Sequence, residues 1–432
     1  MNKILLFILI SFFLVNCSLN KNSRLWNEKE KDLNENKNLT KIFVEEKKES
    51  SELNPLIKLD LSKNQQNNKT VDNLNNFGSL KYNGSLNKIA NFKFAKFNNF
   101  SQFDFEPLIL KDGLIFFDKK GNILRFNDNQ KIVWKKNYYS KTEKKLNPKL
   151  LFSMKDKNLI VADNIAKIFS VNSTSGDLIW SKKSDYPFNS QIKIYKDRFF
   201  VVDYKNILRC FYLKDGSECW NVQTEDSFTI SNSKYSLIIV SDLVIFNNSI
   251  DDITAVDILS GLIKWQLPTQ KSSIINETYN FNYSRLVSDG NSIYFSNNKN
   301  QFFSVDLNTG TSNWINEVSS ILTPVIIDNY IFTVSEDGYL FTIQKKQGNI
   351  IRINDLYKNY DLKKRKKLKP IGFLVGQNNL YLTNSDGSLI VVKLISGNIL
   401  KIEKVSRDLI SKPYIYNGEL FIVKNGSIVK YD

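Results

Sequence analysis

From about residue 107 onward the chain is written in short apolar runs separated by polar breaks. LIVADNIAKIFSV (159–171), RFFVVDYKNILRCFYL (198–213) and SIYFSNNKNQFFSVDL (292–307) group β-branched and aromatic residues between Asn, Asp or Lys. Runs of this length and composition predict strands. No stretch among them sustains an apolar stripe at helical spacing, so the region reads as all-β.

One phrase recurs along these runs. AVDILSGLIKW contains Asp257, Gly261 and Trp265, and SVDLNTGTSNW repeats it with Asp306, Gly310 and Trp314. SGDLIW ends at Trp180, DGSECW at Trp220, and a degenerate NDNQKIVW at Trp134; QGNIIR and SGNILK keep the Gly but put Arg352 and Lys401 at the Trp position. Successive anchors lie 46, 40, 45, 49, 38 and 49 residues apart. A period of roughly 40–50 residues predicts the four-stranded blade of a β-propeller.

Each blade is expected to run as a Pro-led innermost strand (Pro107, Pro148, Pro187, Pro324, Pro370, Pro413), two further strands, the Asp-x-x-x-Gly turn and a Trp-bearing outermost strand. Asp257 and Asp306 suit a turn because their carboxylates accept backbone N–H bonds, and Gly261 and Gly310 because they adopt positive φ. The tryptophans are expected to pack blade against blade, each indole N–H finding a carbonyl in the next blade. Arg352 and Lys401 are expected to keep their charged heads in water.

Seven such repeats cover residues 107–406. The tail, 413–432, has room for three strands. The fourth is expected from KIANFKFAKF (88–97), where Ala90, Phe92 and Phe94 alternate with Asn91, Lys93 and Ala95. An N-terminal strand closing the last blade removes two open edges. The expectation is an eight-bladed propeller over 77–432.

The front of the chain differs. MNKILLFILISFFLVNC places Lys3 before an apolar run over 4–15 and stops at Cys17. That run is too short to span a bilayer and suits a signal-peptide core. LVNC resembles a bacterial lipobox, so residues 1–16 are expected to be a lipoprotein signal and Cys17 the lipidated residue; an ordinary signal peptide or an uncleaved anchor are the alternatives. Ser18 resembles the pattern of lipoproteins sent to the outer membrane. Residues 17–76, rich in Asn, Lys and Glu, are expected to form a disordered tether. NPLIKLDL (54–61) is an apolar island within it, read as a chance cluster or a short docking segment.

Charge and chemistry narrow the function. The chain carries 60 Lys and Arg against 44 Asp and Glu, a formal charge of +16. One run concentrates it: Lys363, Lys364, Arg365, Lys366, Lys367 and Lys369, read as a solvated loop or a surface for an anionic partner, either an acidic protein face or lipid headgroups. Nucleic acid is not expected behind a secretion signal. The sequence contains no His, which removes Ser-His-Asp and Cys-His nucleophile systems and imidazole metal sites. Cys210 and Cys219 flank one turn, as a cross-strand disulfide or as free buried thiols.

The phrase A-x-D-x-x-[ST]-G-x-x-x-W resembles the repeat of quinoprotein-type (PQQ-like) propellers, commonly eight-bladed. With the lipobox and the tether, the chain resembles BamB-type lipoproteins of the outer-membrane β-barrel assembly machinery over about residues 77–432. The resemblance implies a non-catalytic scaffold without a cofactor, lipid-anchored at the periplasmic face of the outer membrane and monomeric within a hetero-complex. Its implied partners are the periplasmic domains of the barrel insertase and unfolded barrel precursors, the latter by strand addition. The family's insertase-contacting loops have no clear local match here. The alternatives are a periplasmic PQQ-dependent dehydrogenase or a lipoprotein propeller with another envelope partner. Cys210 and Cys219, nine positions apart, do not match the adjacent-cysteine disulfide that supports the cofactor in such dehydrogenases.

Overall fold

A computed structural model describes residues 51–61, 74–76, 78, 80–102, 104–225, 234–269 and 282–432. The signal, Cys17 and most of the tether lie outside the described residues.

Eight four-stranded antiparallel sheets follow one another along the chain. Blades 1 to 7 each use consecutive strands and occupy 108–136, 150–183, 193–223, 237–267, 287–316, 325–355 and 370–404. Blade 8 takes its three inner strands from 410–431 and its outermost strand from Lys88–Lys93, which pairs antiparallel with Ser427–Tyr431. The closing strand ends at Lys93 rather than at 97. Beyond it Phe94, Phe97 and Phe105 turn into the seam between blades 8 and 1 and pack against Phe116 and Phe117.

The burial pattern explains why the strands alternate so little. In blade 4, Leu237–Val240 is buried at every position, and so are most of Leu243–Asn247 and Ile253–Asp257. Neighbouring blades cover both faces of these inner strands, so near-continuous apolar runs are required. The outermost strand, Ile263–Leu267, buries only Trp265 and leaves the rest to solvent. In blades 1 to 7 the ladder slips by one residue between the third and fourth strands, as where Ala255 faces Trp265 but Val256 faces Ile263. Such bulges bend and twist a strand, here the one that carries the tryptophan.

The meander puts the first hairpin turns and the Asp–Gly turns on one face, the turn face. The connections between blades lie on the opposite face, the connection face. Pro107 and Pro324 each stand immediately before an innermost strand and Pro370 is the first residue of one. Pro413 instead lies inside Ile410–Tyr416, where the register shifts between Ile410 and Pro413 and the ladder does without its missing N–H.

Two expectations need correction. The expected tether, 17–76, contains structure: residues 51–61 lie along the outside of blades 6 and 7, and Leu59 joins the apolar cluster between those blades. The island is therefore a docked segment. The basic run is also not a loop, because Leu362–Lys367 forms a short helix. Asp361 caps it by accepting the N–H of Lys364, and Leu368 just beyond it is buried against the same cluster.

Candidate functional site

The recurring phrase joins blades. Asp257 Oδ1 accepts the N–H groups of Leu259 and Ser260 and the Ser260 hydroxyl, and Asp306 makes the equivalent bonds with Asn308 and Thr309. The Ser260 backbone N–H, then its hydroxyl, hold the Asp257 carboxyl down to about 2. Gly310 sits at φ +70°, where a Cβ would come 2.6 Å from the Trp265 ring, and Gly261 bears the same relation to Trp220. The glycine is thus required twice over, by its backbone conformation and by the indole laid on it.

The indole N–H groups of Trp134, Trp180, Trp265 and Trp314 donate to the carbonyls of Ser173, Leu213, Leu307 and Lys345 in the following blade, each at 3.0 Å. Trp220 departs from this. Its indole N–H is buried with no acceptor among the described residues, and Arg198 instead donates to the carbonyls of Ile258 and Leu259.

The two charged substitutes behave differently. Lys401 is exposed, as expected, and pairs with Glu403 at 2.7 Å. Arg352 contradicts the expectation: it is 0% exposed. Its guanidinium donates to the carbonyls of Leu394 (2.8 Å) and Ile395 (2.6 Å) in blade 7 and of Ile57 (3.0 Å) in the docked segment. Leu394 occupies the place of Leu307 in the indole contacts, so the arginine takes over the tryptophan's bond and adds others. Burial lowers its pKa to about 10, against an ordinary value of 12.5.

Cys210 and Cys219 are free thiols. Cys210 faces Trp220 and Phe211 faces Glu218, so Cys219 is the extra residue of the bulge, and its thiol lies within hydrogen-bond reach of the Cys210 thiol. Burial pushes both thiols up, the Cys210 thiol most, which makes neither a ready nucleophile. Among the described residues no group of three or more His, Cys, Asp or Glu is placed to hold a metal.

An ion cluster that sequence reasoning missed lies on the axis. Asp104 and Glu106, leading into blade 1, meet Arg285 of blade 5, Lys234 of blade 4 and Lys412 of blade 8. Arg285 reaches Asp104 at 2.5 Å and also pairs with Glu106, while Lys412 is 3.2 Å from Glu106. Blades 1 and 5 stand opposite each other in an eight-membered ring, so these groups can meet only across the central channel, at its connection-face mouth. Burial opposes ionisation of both carboxyls, but the surrounding cations outweigh it and hold them below the usual carboxylate range. Toward the turn face, Leu74 and Asn75 accept the N–H groups of Ile239 and Ser288 on the innermost strands of blades 4 and 5. Asn76 bonds Lys193 and Leu286, and Leu80 donates to Val375 of blade 7. The alternation Asp104–Glu106 before Pro107 was the only trace of this cluster in the sequence.

The remaining accessible surfaces lie on the rim and the two faces. An open groove of about 930 Å³ runs between the turns of blades 2 and 3, lined by Lys155, Asp156, Lys196, Tyr212, Lys214 and Asp215. Outermost strands present exposed Ile132, Val133, Leu178, Ile179 and Ile315. Of the basic run, Lys364 lies over the Tyr360 ring and pairs with Asp386, and Arg365 pairs with Asp355 at 2.6 Å over the Tyr339 ring. Lys363, Lys366, Lys367 and Lys369 are exposed and form no ion pair among the described residues. No described helix is long and apolar enough to cross a membrane.

The model of the family described as outer membrane protein assembly factor BamB matches residues 119–354. Among solved structures, BamB from Moraxella catarrhalis is similar with a TM-score of 0.65 at 14% identity, covering 80% of this chain and 99% of that one. The C-terminal WD40 domain of Sif2 gives 0.59 at 12% identity, over 82% and 99% of the two chains. The quinohemoprotein alcohol dehydrogenase ADHIIG from Pseudomonas putida HK5 gives 0.58 at 9% identity, over 82% and 78%. At these identities the structural likenesses establish the propeller fold alone. No curated protein matches the sequence.

Proposed function

The chain belongs to the family of outer membrane protein assembly factor BamB, and on that premise we propose that it is a non-catalytic scaffold lipoprotein of the outer-membrane β-barrel assembly machinery. In this reading Cys17 is the acylated residue, the propeller stands at the periplasmic face of the outer membrane, and its partners are the insertase's periplasmic domains and precursor strands.

The observation that carries the reading is the contrast between a filled axis and an open rim. A planar quinone held on the axis would have to displace either the Asp104–Glu106–Arg285 cluster or residues 74–76. The rim, by contrast, has unpaired outer edges, and one of them already accepts an extended segment: Leu53 and Ile353 exchange both hydrogen bonds of an antiparallel pair, at 3.1 and 2.9 Å. Edges elsewhere are short and bulged, and those of blades 1, 2, 4, 7 and 8 also carry Lys, which limits indiscriminate pairing.

In-cell crosslinking of the tagged chain followed by identification of captured proteins tests the proposal. Recovery of the insertase through its periplasmic domains is the expected result. A purified protein that takes up PQQ with calcium, gains the cofactor's absorption and oxidises an alcohol would overturn it in favour of the dehydrogenase reading.

A further inference from the structure

Blade 6 differs from its neighbours in holding a piece of the chain's own front. Besides the Leu53–Ile353 pair and the Arg352 bond to Ile57, Asn354 donates to the carbonyl of Pro55 (3.2 Å) and Asn54 to that of Ile351 (3.3 Å). Leu59 donates to Ile395 at 3.1 Å, on the turn face of blade 7. The segment therefore runs from the connection face at its start to the turn face at its end.

Its start lies next to the basic helix. Glu52 accepts the N–H of Asp355 and pairs with Lys358 at 3.6 Å, while the Asp355 carboxylate is held by Arg365 of Leu362–Lys367. Whatever the arrangement of residues 18–50, the chain that leads to Cys17 takes off from this corner. With the segment docked the leash is those 33 residues, from position 18 to 50. Their greatest span is about 110–120 Å. Without docking, the next described attachment is Leu74.

The corner is strongly basic even with the exposed Asp361 carboxylate at the helix N-cap. Arg365 and Lys364 are spent on Asp355 and Asp386, which fixes the helix on the propeller. Lys363, Lys366, Lys367 and Lys369 remain pointed at solvent beside the take-off point. We propose that this rim of blades 6 and 7 binds anionic phospholipid headgroups, and that the docked segment 51–61 turns it toward the membrane. An anchor plus a basic patch is the two-signal arrangement that stable membrane apposition requires, and such cations act within a Debye length of an anionic leaflet. The proposal rests on the membrane-anchored reading above only for the identity of the facing surface.

Vesicle sedimentation separates the two. The mature chain carrying Cys17→Ser, which has no acyl group, is mixed with vesicles of phosphatidylethanolamine and phosphatidylglycerol, or of phosphatidylethanolamine and phosphatidylcholine. Binding to the anionic vesicles alone is expected, lost at high salt. It should fall at least tenfold in a variant with Lys363, Lys366, Lys367 and Lys369 all changed to Gln. The same change at Lys119, Lys120, Lys144 and Lys145 should leave it intact. Equal binding to neutral vesicles, no binding, or an undiminished quadruple variant overturns the proposal, as does an acidic protein captured through these lysines with no lipid bound. For the orienting segment, the acylated protein on anionic vesicles should resist tryptic cleavage at 363–369 and lose that protection when 51–61 are deleted. Unchanged protection overturns that part. A wild-type protein without acyl mass would remove the anchoring reading and leave the vesicle result standing.

Discussion

Trp265 and Asp257 serve the same phrase through unequal interactions. Trp265→Ala removes an indole that is buried to 8% exposure against Gly310, and should cost about 3–5 kcal/mol, as large aromatic truncations in cores do. Asp257→Ala loses bonds on a partly solvated turn and should cost about 1 kcal/mol; denaturant midpoints give the ordering. Because the Asp257 carboxyl is depressed to about 2 from an ordinary 3.8, its contribution is present above the unfolded value and is lost as pH falls through 2. A carboxyl titration by NMR should find that midpoint, and one near 3.8 would remove the turn bonds. Arg352→Ala leaves the carbonyls of Leu394, Ile395 and Ile57 without their charged donor, and should cost at least about 2 kcal/mol. Lys401→Ala should stay within about 0.5 kcal/mol. Equal effects at the two positions would contradict the buried clamp. A charged residue at the tryptophan position was legible in the sequence; its burial was not, because the carbonyls that solvate it come from blade 7 and from a segment almost 300 residues away.

Two elements near the front of the chain make opposite demands on deletion. Removing residues 88–97 takes the outermost strand from blade 8 and the phenylalanines from the seam with blade 1. It should expose the edge of Ser427–Tyr431 and give an aggregating or protease-sensitive product. Removing 51–61 leaves every sheet four-stranded but strips Leu59 from its cluster and Arg352 of one acceptor. The propeller should stay folded with a thermal transition lowered by a few degrees, since burial of one leucine is worth about 1.5–3 kcal/mol. Equal damage from the two deletions would contradict the division into a closing strand and a docked segment. The closing strand was legible because a three-stranded tail demands a fourth strand of alternating pattern. The docked segment carried only a short apolar island in polar surroundings, and nothing local distinguishes such an island from chance.

Across the whole molecule the ring is held at its seam by the closing strand and at its centre by charge. Glu106→Gln leaves Arg285, Lys234 and Lys412 facing one carboxylate instead of two, and should lower thermal stability by about 2 kcal/mol or more. Since both carboxyls are held below their usual range, the wild-type advantage should be full above the ordinary carboxylate pKa and shrink as pH falls below it. Melting curves of both proteins from neutral to acid pH check this, and a constant difference would sink it. The all-β class, the blade period, the eight-bladed count and the packing role of Asp257, Gly261 and Trp265 were determined by the sequence alone. Each depends on residues within one repeat, and repetition multiplies a weak local signal. The axial cluster, the bulge at Cys210 and Cys219, the helix in the basic run and the receptor for residues 51–61 were decided only by the tertiary structure. Closing the ring brings together groups from blades 1, 4, 5 and 8, or from the front of the chain and blade 6, whose proximity no spacing along the sequence encodes.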